Sequence, residues 1–460
     1  MSPLPPPPQR EDLKVTIKSS SLVHPPPPPP PPHEKKMRRS MFLSNIDQPY
    51  NVDIDTVYFF PPNKAFPPSS VCEAIERALR ELLVPYDFLA GRLATDPVTG
   101  RREIDCNGAG AGFVVASSER TFEEVRELGY SYRAFRQLVP SRSSTGLHDW
   151  PLIVIQVTSF KCGAFAMGLS NNHITFDGAS VKMFLQNLAS IAGRGPLIIH
   201  PCNDRHLLAA RSPPRVMYPH LELKKVEEKE EKATATKPVH IAQAMNDDLE
   251  TKFFRLGPAD IAKLKEKGRT TKVVPTSFNA VMTHVWRCKA LSEVDNDDDD
   301  DREERSSLLS RVLYSVDLRT RLGPQVLPRS YTGNAVLRTY GAATYGQLEG
   351  GPFSSLVEIV REGLLRVTED YVRSFVDMLG KYETVPNGDL IITTWWRLGI
   401  EEVEYPWGRP VSYYPVTRPR KHVVVLFPNV ADFRNAVNIM VSLPPQHMVR
   451  FVRLFYSLLS

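Results

Sequence analysis

With 460 residues and 42% hydrophobic composition, the chain can bury more than one core usually supports, so two domains are expected. Its net charge of +5 on 24% charged residues of both signs excludes a polycationic nucleic-acid binder, while leaving room for a local anion site. The five cysteines (Cys72, Cys106, Cys162, Cys202, Cys288) are scattered without a Cys-x-x-Cys pair, which argues for reduced thiols and against a zinc knuckle or disulfide frame. The first residues lack an apolar h-region and no apolar run approaches ~20 residues, so a cytoplasmic protein with no transmembrane segment is expected.

Residues 1–40 read as a proline-rich N-terminal strand and loop. Pro25 to Pro32 are an exposed polyproline II stretch, either a docking site for a proline-reading domain or, more simply, an expanded loop. A first domain over 41–195 begins with a strand at Thr56–Phe60, followed by a helix from Val71 to Leu83 whose apolar residues recur at helical spacing. Two paired strands, PLIVIQVTSF and CGAFAMGLS, then lead to a turn at His173. Asp177 stands at an N-cap position, and Val181, Phe184, Leu185 and Leu188 mark the helix after it. Residues 196–245, with six prolines and a mixed-charge run, read as a crossover linker that buries too little apolar surface to order itself. A second domain over 246–460 opens with a helix capped near Pro258-Ala259-Asp260 and a buried helix at SFNAVMTHVWRCKAL. The acidic loop 295–304 has no Asp-x-Asp-x-Asp-Gly spacing, so it reads as solvated loop before the strand VLYSVDL and not as a calcium site; no metal is expected.

A neutral imidazole at a strand-to-helix turn, with a carboxylate four residues on, suits general base chemistry at neutral pH. The five-residue pattern alone is weak. With 11 histidines, an aspartate four residues on is expected by chance about once in two such chains. A second copy, His200 to Asp204, lies in the crossover with no helix predicted after it and reads as coincidence.

The stretch PLIVIQVTSFKCGAFAMGLSNNHITFDGAS resembles the HxxxDG signature of the plant BAHD acyltransferases, and FLSNIDQ, TVYFF, LVPYDFLAGRL, YSVDLRTRL, SYTGNAV, TTWWRLG and YPWGRP are similar to further blocks of that family. The resemblance covers nearly everything from Phe42 onward. It implies two similar-sized α/β domains of the chloramphenicol-acetyltransferase type with a channel at their interface. It also implies acyl-CoA as co-substrate with no tightly bound cofactor, and a small-molecule acceptor bearing a hydroxyl, or less favourably an amine. A monomer that binds no nucleic acid is expected.

Carried onto this sequence, His173 matches the base that takes the acceptor proton. Asp177 matches the motif aspartate, which the resemblance makes an anchor paired with Arg319, and Gly178 leaves room for a close backbone approach. Thr393 and Trp395 match the donors to the oxyanion, with Trp396 packed. Glu404-Tyr405-Pro406-Trp407-Gly408 stands where Asp-Phe-Gly-Trp-Gly is usual; Trp407 and Gly408 are retained, and the block is expected to support the fold away from the chemistry. Lys263, Lys265, Lys267, Arg269 and Lys272 are the candidate cations for the phosphates of CoA, although the same residues suit an ordinary solvated face. The acyl group expected is hydroxycinnamoyl or aliphatic and the acceptor a plant metabolite or lipid-like alcohol. The alternative is a noncatalytic family member acting as partner of a lipid-modifying enzyme.

Overall fold

Alternation of large apolar residues along Phe165–Asn172 places this strand at the centre of a sheet, and all eight of its residues are buried. The computed structural model describes residues 12–27, 39–147, 149–226, 249–271, 273–294, 302–429 and 436–460. The chain divides into two units, each built on a six-stranded mixed sheet with helices, which is the α/β class expected.

In the first unit the sheet order is Val15–Val23, Ala111–Ser118, Ile153–Ser159, Phe165–Asn172, Asp53–Phe60 and Ser412–Pro415. Ala111–Ser118 and Ile153–Ser159 run parallel; the other neighbours are antiparallel. Helices Pro68–Leu82 and Gly178–Ala192 pack together and bury Val71, Ile75, Leu79, Phe184, Leu185 and Leu188. Phe59, Phe135, Leu138 and Phe160 belong to a further apolar cluster of this unit.

The second unit orders its strands Glu250–Leu256, Val437–Leu443, Val423–Pro428, Leu390–Thr394, Leu309–Asp317 and Val336–Thr344. Helix Ser277–Ser292 runs through its core, with Trp286 fully buried and its indole N–H donated to Ser310 Oγ at 3.1 Å.

The expected domain limits need correction. Residues 326–335 and 398–418 group with the first unit, so 246–460 is not one continuous domain. The reason is strand pairing: Ser412–Pro415 extends the first sheet by bonding to Asp53–Phe60.

The expected linker is also more ordered than its composition indicates. In the first unit Asp204 caps a short 3-10 helix at Arg205–Leu208, and Arg205 is 1% exposed. In the second unit Asp377 accepts from Arg211 N at 2.8 Å, Arg211 Nε at 2.7 Å and Arg215 N at 2.6 Å. His220 bridges Glu222 (3.0 Å) and Ser374 (2.8 Å), all three buried. These are polar anchors, so an apolar-burial argument does not detect them. Residues 227–248 and the polyproline run from Pro28 lie outside the described residues. The acidic run is outside them to Asp301, whereas Glu303 and Glu304 belong to a short helix, Arg302–Ser307, and not to loop.

Candidate active site

The turn that carries His173 is closed by its own neighbours. Asn172 Oδ1 accepts from Ile174 N at 3.1 Å, and the Asn172 carbonyl accepts from Thr175 N at 3.0 Å and Thr175 Oγ1 at 2.7 Å. This Asx-type turn ends the strand one residue before the histidine. The flanks are then tied to distant segments. His173 N donates to Val52 O at 2.8 Å, the His173 carbonyl accepts from Asn334 Nδ2 at 2.8 Å, and the Thr175 carbonyl accepts from Arg205 Nη2 at 3.1 Å. Backbone freedom at the histidine is thereby removed. Its ring stacks on Tyr50 with centroids 4.6 Å apart and 18° between planes. His173 keeps partial exposure while residues 174–177 are buried.

Asp177 is 2% exposed and both its oxygens accept backbone hydrogen bonds. Oδ1 takes Ser180 N at 2.9 Å, the N-cap bond of helix Gly178–Ala192, and Oδ2 takes Ala335 N at 2.9 Å. A carboxylate used in this way joins the helix start to the 326–335 segment. Gly178 opens the helix, and a Cβ there would lie 2.6 Å from Leu398 Cδ1, so a larger residue would make the end of that leucine side chain shift.

Beneath the turn is a buried polar network that sequence reasoning did not find. Asp47, fully buried, accepts from Asn334 N and Nδ2 (2.9 Å each) on Oδ1 and from Ser44 N (2.9 Å) and Oγ (2.7 Å) on Oδ2. Arg205 Nε lies 3.8 Å from the same carboxylate, Arg205 Nη1 donates to Thr332 Oγ1 at 2.9 Å, and its guanidinium sits 5.3 Å from the ring centroids of Phe88 and of Tyr331. Here a buried cation and anion are paired and hydrogen-bonded, the condition under which burial of charge is tolerated. Asp47 and Asn334 stand within FLSNIDQ and SYTGNAV, so those blocks were a signal of their place, though not of their role.

Next to the turn, Asp53 accepts from Asn172 Nδ2 at 3.3 Å and lies 3.9 Å from Arg142, while Asp55 pairs with Arg136 at 3.3 Å. Burial raises both carboxyls above the usual range, with the arginines opposing it.

The aromatic block of the C-terminal motif is at the other end of the strand. Trp407 packs edge-on to Phe60 and Phe165 at 6.3 and 6.0 Å and stacks with Tyr405 at 5.3 Å. Phe165 precedes His173 by eight residues, about 25 Å of extended chain. Gly408 adopts φ 109°, a conformation that L side chains rarely reach. Pro406 faces the end of helix Gly178–Ala192, where a Cβ on Gly193 would meet its Cγ at 3.1 Å.

The other expected site residues are in the second unit. Thr393 is half-buried in strand Leu390–Thr394. Trp395, also half-buried, donates its backbone N–H to Leu426 O at 2.7 Å. Trp396 is 5% exposed and belongs to the hydrophobic core. Arg319, 5% exposed, reaches Asp317 Oδ1 with its backbone N–H at 3.0 Å and with Nη1 at 3.1 Å. Among the expected CoA cations, Lys263 donates to Leu459 O (3.4 Å) and Lys267 to Leu458 O (2.9 Å) and Ser460 O (2.8 Å), so both cap the end of helix Pro445–Ser457. Arg269 pairs with Glu266 at 3.2 Å, Lys265 is half-buried, and Lys272 lies outside the described residues.

A family model described as "Transferase family" matches residues 13–458. The chain is 47% identical over 98% of its length to Acyltransferase GLAUCE of Arabidopsis thaliana, covering 97% of that protein. It is 31% identical over 89% of its length to the fatty alcohol:caffeoyl-CoA acyltransferase of the same plant, covering 92% of it. The crystal structure of vinorine synthase shares the fold with a TM-score of 0.71 at 21% identity, over 96% of this chain and 98% of that one. With the match running almost end to end, and with His173, Asp177 and Gly178 assembled at one strand-to-helix turn, the chain belongs to the Transferase family, the plant BAHD acyltransferases.

Proposed function

We propose that the protein transfers an acyl group from acyl-CoA to the hydroxyl of a lipid-like alcohol or related small plant metabolite, with His173 as general base. The observation that carries this reading is the clamped, partly exposed imidazole. Its backbone is held on both sides by Val52 O and Asn334 Nδ2, its ring is backed by Tyr50, and the residue keeps partial exposure. A base fixed in this way loses little orientational entropy when the acceptor arrives.

In the proposed reaction His173 takes the acceptor's hydroxyl proton as the oxygen attacks the thioester carbon. The C=O pair moves onto oxygen, where Thr393 Oγ1–H and the Trp395 indole N–H are the proposed donors. Collapse breaks the C–S bond, and the thiolate recovers the proton from His173. Asp177 acts as an anchor, paired in this reading with Arg319, and not as a second base. Its two backbone hydrogen bonds support that division of roles.

A hydroxycinnamoyl donor and a lipophilic alcohol acceptor are favoured because the 31% identical relative is named for caffeoyl-CoA and a fatty alcohol. Lys265 and Arg269 are the proposed phosphate contacts, with Lys263 and Lys267 reduced to a secondary part by their helix-capping bonds. The reading includes a monomeric, cytoplasmic enzyme without a tightly bound cofactor, to be checked by sedimentation and by cell fractionation.

The test is release of free CoA thiol from a panel of acyl-CoA donors and alcohols by wild type and His173→Ala. Turnover in the wild type with loss of about 100-fold or more in the variant is expected. Unchanged turnover in the variant sinks the assignment of the base. No turnover by the wild type on a broad panel, together with stable binding to another enzyme, supports a noncatalytic partner instead.

A further inference from the structure

Three consecutive residues of the first unit grip the strand end at His173. Asn51 and Asp53 present their Oδ1 atoms to Asn172 Nδ2 at 2.9 and 3.3 Å, and Val52 between them accepts from His173 N at 2.8 Å. The strand register sets this up, because Asp53 lies opposite Asn172 and cross-strand partners carry their side chains to the same face.

The Asn172 amide acts in two directions. Its N–H bonds point to Asn51 and Asp53, while its Oδ1 accepts from Ile174 N at 3.1 Å, on the far side of His173. Turned by half a revolution, the amide would set its oxygen against those two acceptor oxygens and an N–H against the Ile174 N–H. The partners at Nδ2 therefore dictate the bond that closes the turn around the histidine. Asn51 can turn its own amide and offer nitrogen instead of oxygen. An ionised Asp53 offers only oxygen, so it is the partner that decides. Asp53 is itself held from outside: the Trp150 side chain hydrogen-bonds it, Arg142 Nη2 lies 3.9 Å from its Oδ2, and the Arg142 guanidinium sits 5.4 Å from the Trp150 ring centroid.

We propose that Asp53 is a positioning residue for acyl transfer, locking through the Asn172 amide the turn that presents the His173 imidazole. The role in catalysis rests on the reading of His173 as general base, whereas the lock itself has a readout that needs no turnover.

The experiment combines hydrogen exchange at the Ile174 amide, resolved by fragment mass spectrometry, with steady-state kinetics on one donor and acceptor pair. It compares wild type, Asp53→Ala, Asp53→Asn, Asn172→Ala, the double variant Asp53→Ala/Asn172→Ala, and His173→Ala. In Asp53→Ala the Ile174 amide is expected to exchange about tenfold faster, with kcat lowered about threefold to tenfold and KM within about twofold. Asp53→Asn keeps an acceptor oxygen and should recover most of both. Because Asp53 acts through Asn172, its substitution should cost nothing further in the Asn172→Ala background. Asp53 is half-buried at the start of its strand, so its own variants keep the test decisive should Asn172→Ala fail to fold. Unchanged exchange at Ile174, faster exchange with unchanged kcat, or losses that multiply in the double variant overturn the proposal. Equal losses in Asp53→Asn and Asp53→Ala also overturn it, because the effect would then belong to the charge beside Arg142. Turnover that survives His173→Ala overturns the base reading itself; loss of turnover there, with Asp53→Ala unaffected, overturns only the role of Asp53.

Discussion

The ring of Tyr50 lies 4.6 Å from that of His173 at an interplanar angle of 18°, and the segment that carries Tyr50 also binds the histidine's backbone. Asp47, Tyr50, Val52 and Asp53 act together: Asp47 holds Asn334, Val52 accepts from His173 N, and Asp53 pairs with Asn172 in the strand register. A stacked pair of this kind contributes about 0.5–1.5 kcal/mol beyond area burial, enough to bias the rotamer of an imidazole. Tyr50→Ala is expected to lower kcat about threefold to tenfold with little change in KM, and Tyr50→Phe, which keeps the ring, to restore most of it. Steady-state kinetics on the best donor and acceptor pair decide this. Equal losses in both variants would shift the role from the ring to the hydroxyl.

Asn334 positions the histidine from the other side. Its Nδ2 bridges the His173 carbonyl and Asp47 Oδ1, so Asn334→Ala removes two side-chain bonds at once. A kcat reduced about tenfold, with the acidic limb of the pH–rate profile displaced, would mark a positioning residue; a lower melting temperature alone would mark a structural one. Asp47→Ala should be more severe for stability. It strands Arg205, 1% exposed, without its carboxylate, a change that typically costs about 3–5 kcal/mol. Chemical denaturation of the two variants distinguishes these outcomes.

How much of this was readable from the residue string depends on the range of the interaction. The strand at Phe165, the helix after Asp177 and the cap between them follow local periodicities of two and 3.6, and the structure has all three. The interactions that hold His173 do not. Asn334 is 161 positions from His173 and 287 from Asp47, and no local spacing marks such a contact. Arg205 was missed for a different reason. Its proline-broken, charged surroundings read as linker, yet a buried ion pair and hydrogen bonds order the segment without an apolar stripe. The same misreading left no helix after His200 to Asp204, whose reading as a coincidental copy of the motif nothing in the structure overturns. Asp204 does cap a short helix, although that helix contributes a structural arginine and not a second base.

The Tyr-Pro-Trp-Gly block offers a test of distance. Trp407 packs on Phe60 and Phe165, at the end of the strand remote from His173. Pro406→Gly, which places glycine where the family pattern has it, should leave kcat/KM within about twofold and lower stability by about 1 kcal/mol through added freedom of the unfolded chain. Trp407→Ala should cost about 3–5 kcal/mol because it empties a packed aromatic site. A large loss of activity in Pro406→Gly at unchanged stability would place the block in the chemistry after all.

His284 is expected to contribute to the acid sensitivity of the second unit. It is buried in helix Ser277–Ser292, with its ring 4.8 Å from that of Phe455 and Cys288 Sγ 3.9 Å away. Burial pushes its pKa down to about 4, Lys267 and Arg287 act in the same direction, and a backbone bond at Phe455 opposes them. The unfolded chain binds a proton at this group below about pH 6.5, whereas the folded chain does not until about pH 4. Stability from His284 is therefore fully present above pH 6.5, declines as the pH falls and is exhausted near pH 4, a difference of about 3 kcal/mol. His284→Gln removes the titrating group, so urea denaturation between pH 7 and 4 should show a flatter decline by about that amount, whatever the variant's stability at pH 7. An unchanged slope would assign the acid transition to other groups. The sign of the slope carries the argument, because a histidine whose charged form were paired in the fold would make the protein more stable on the acid side, not less.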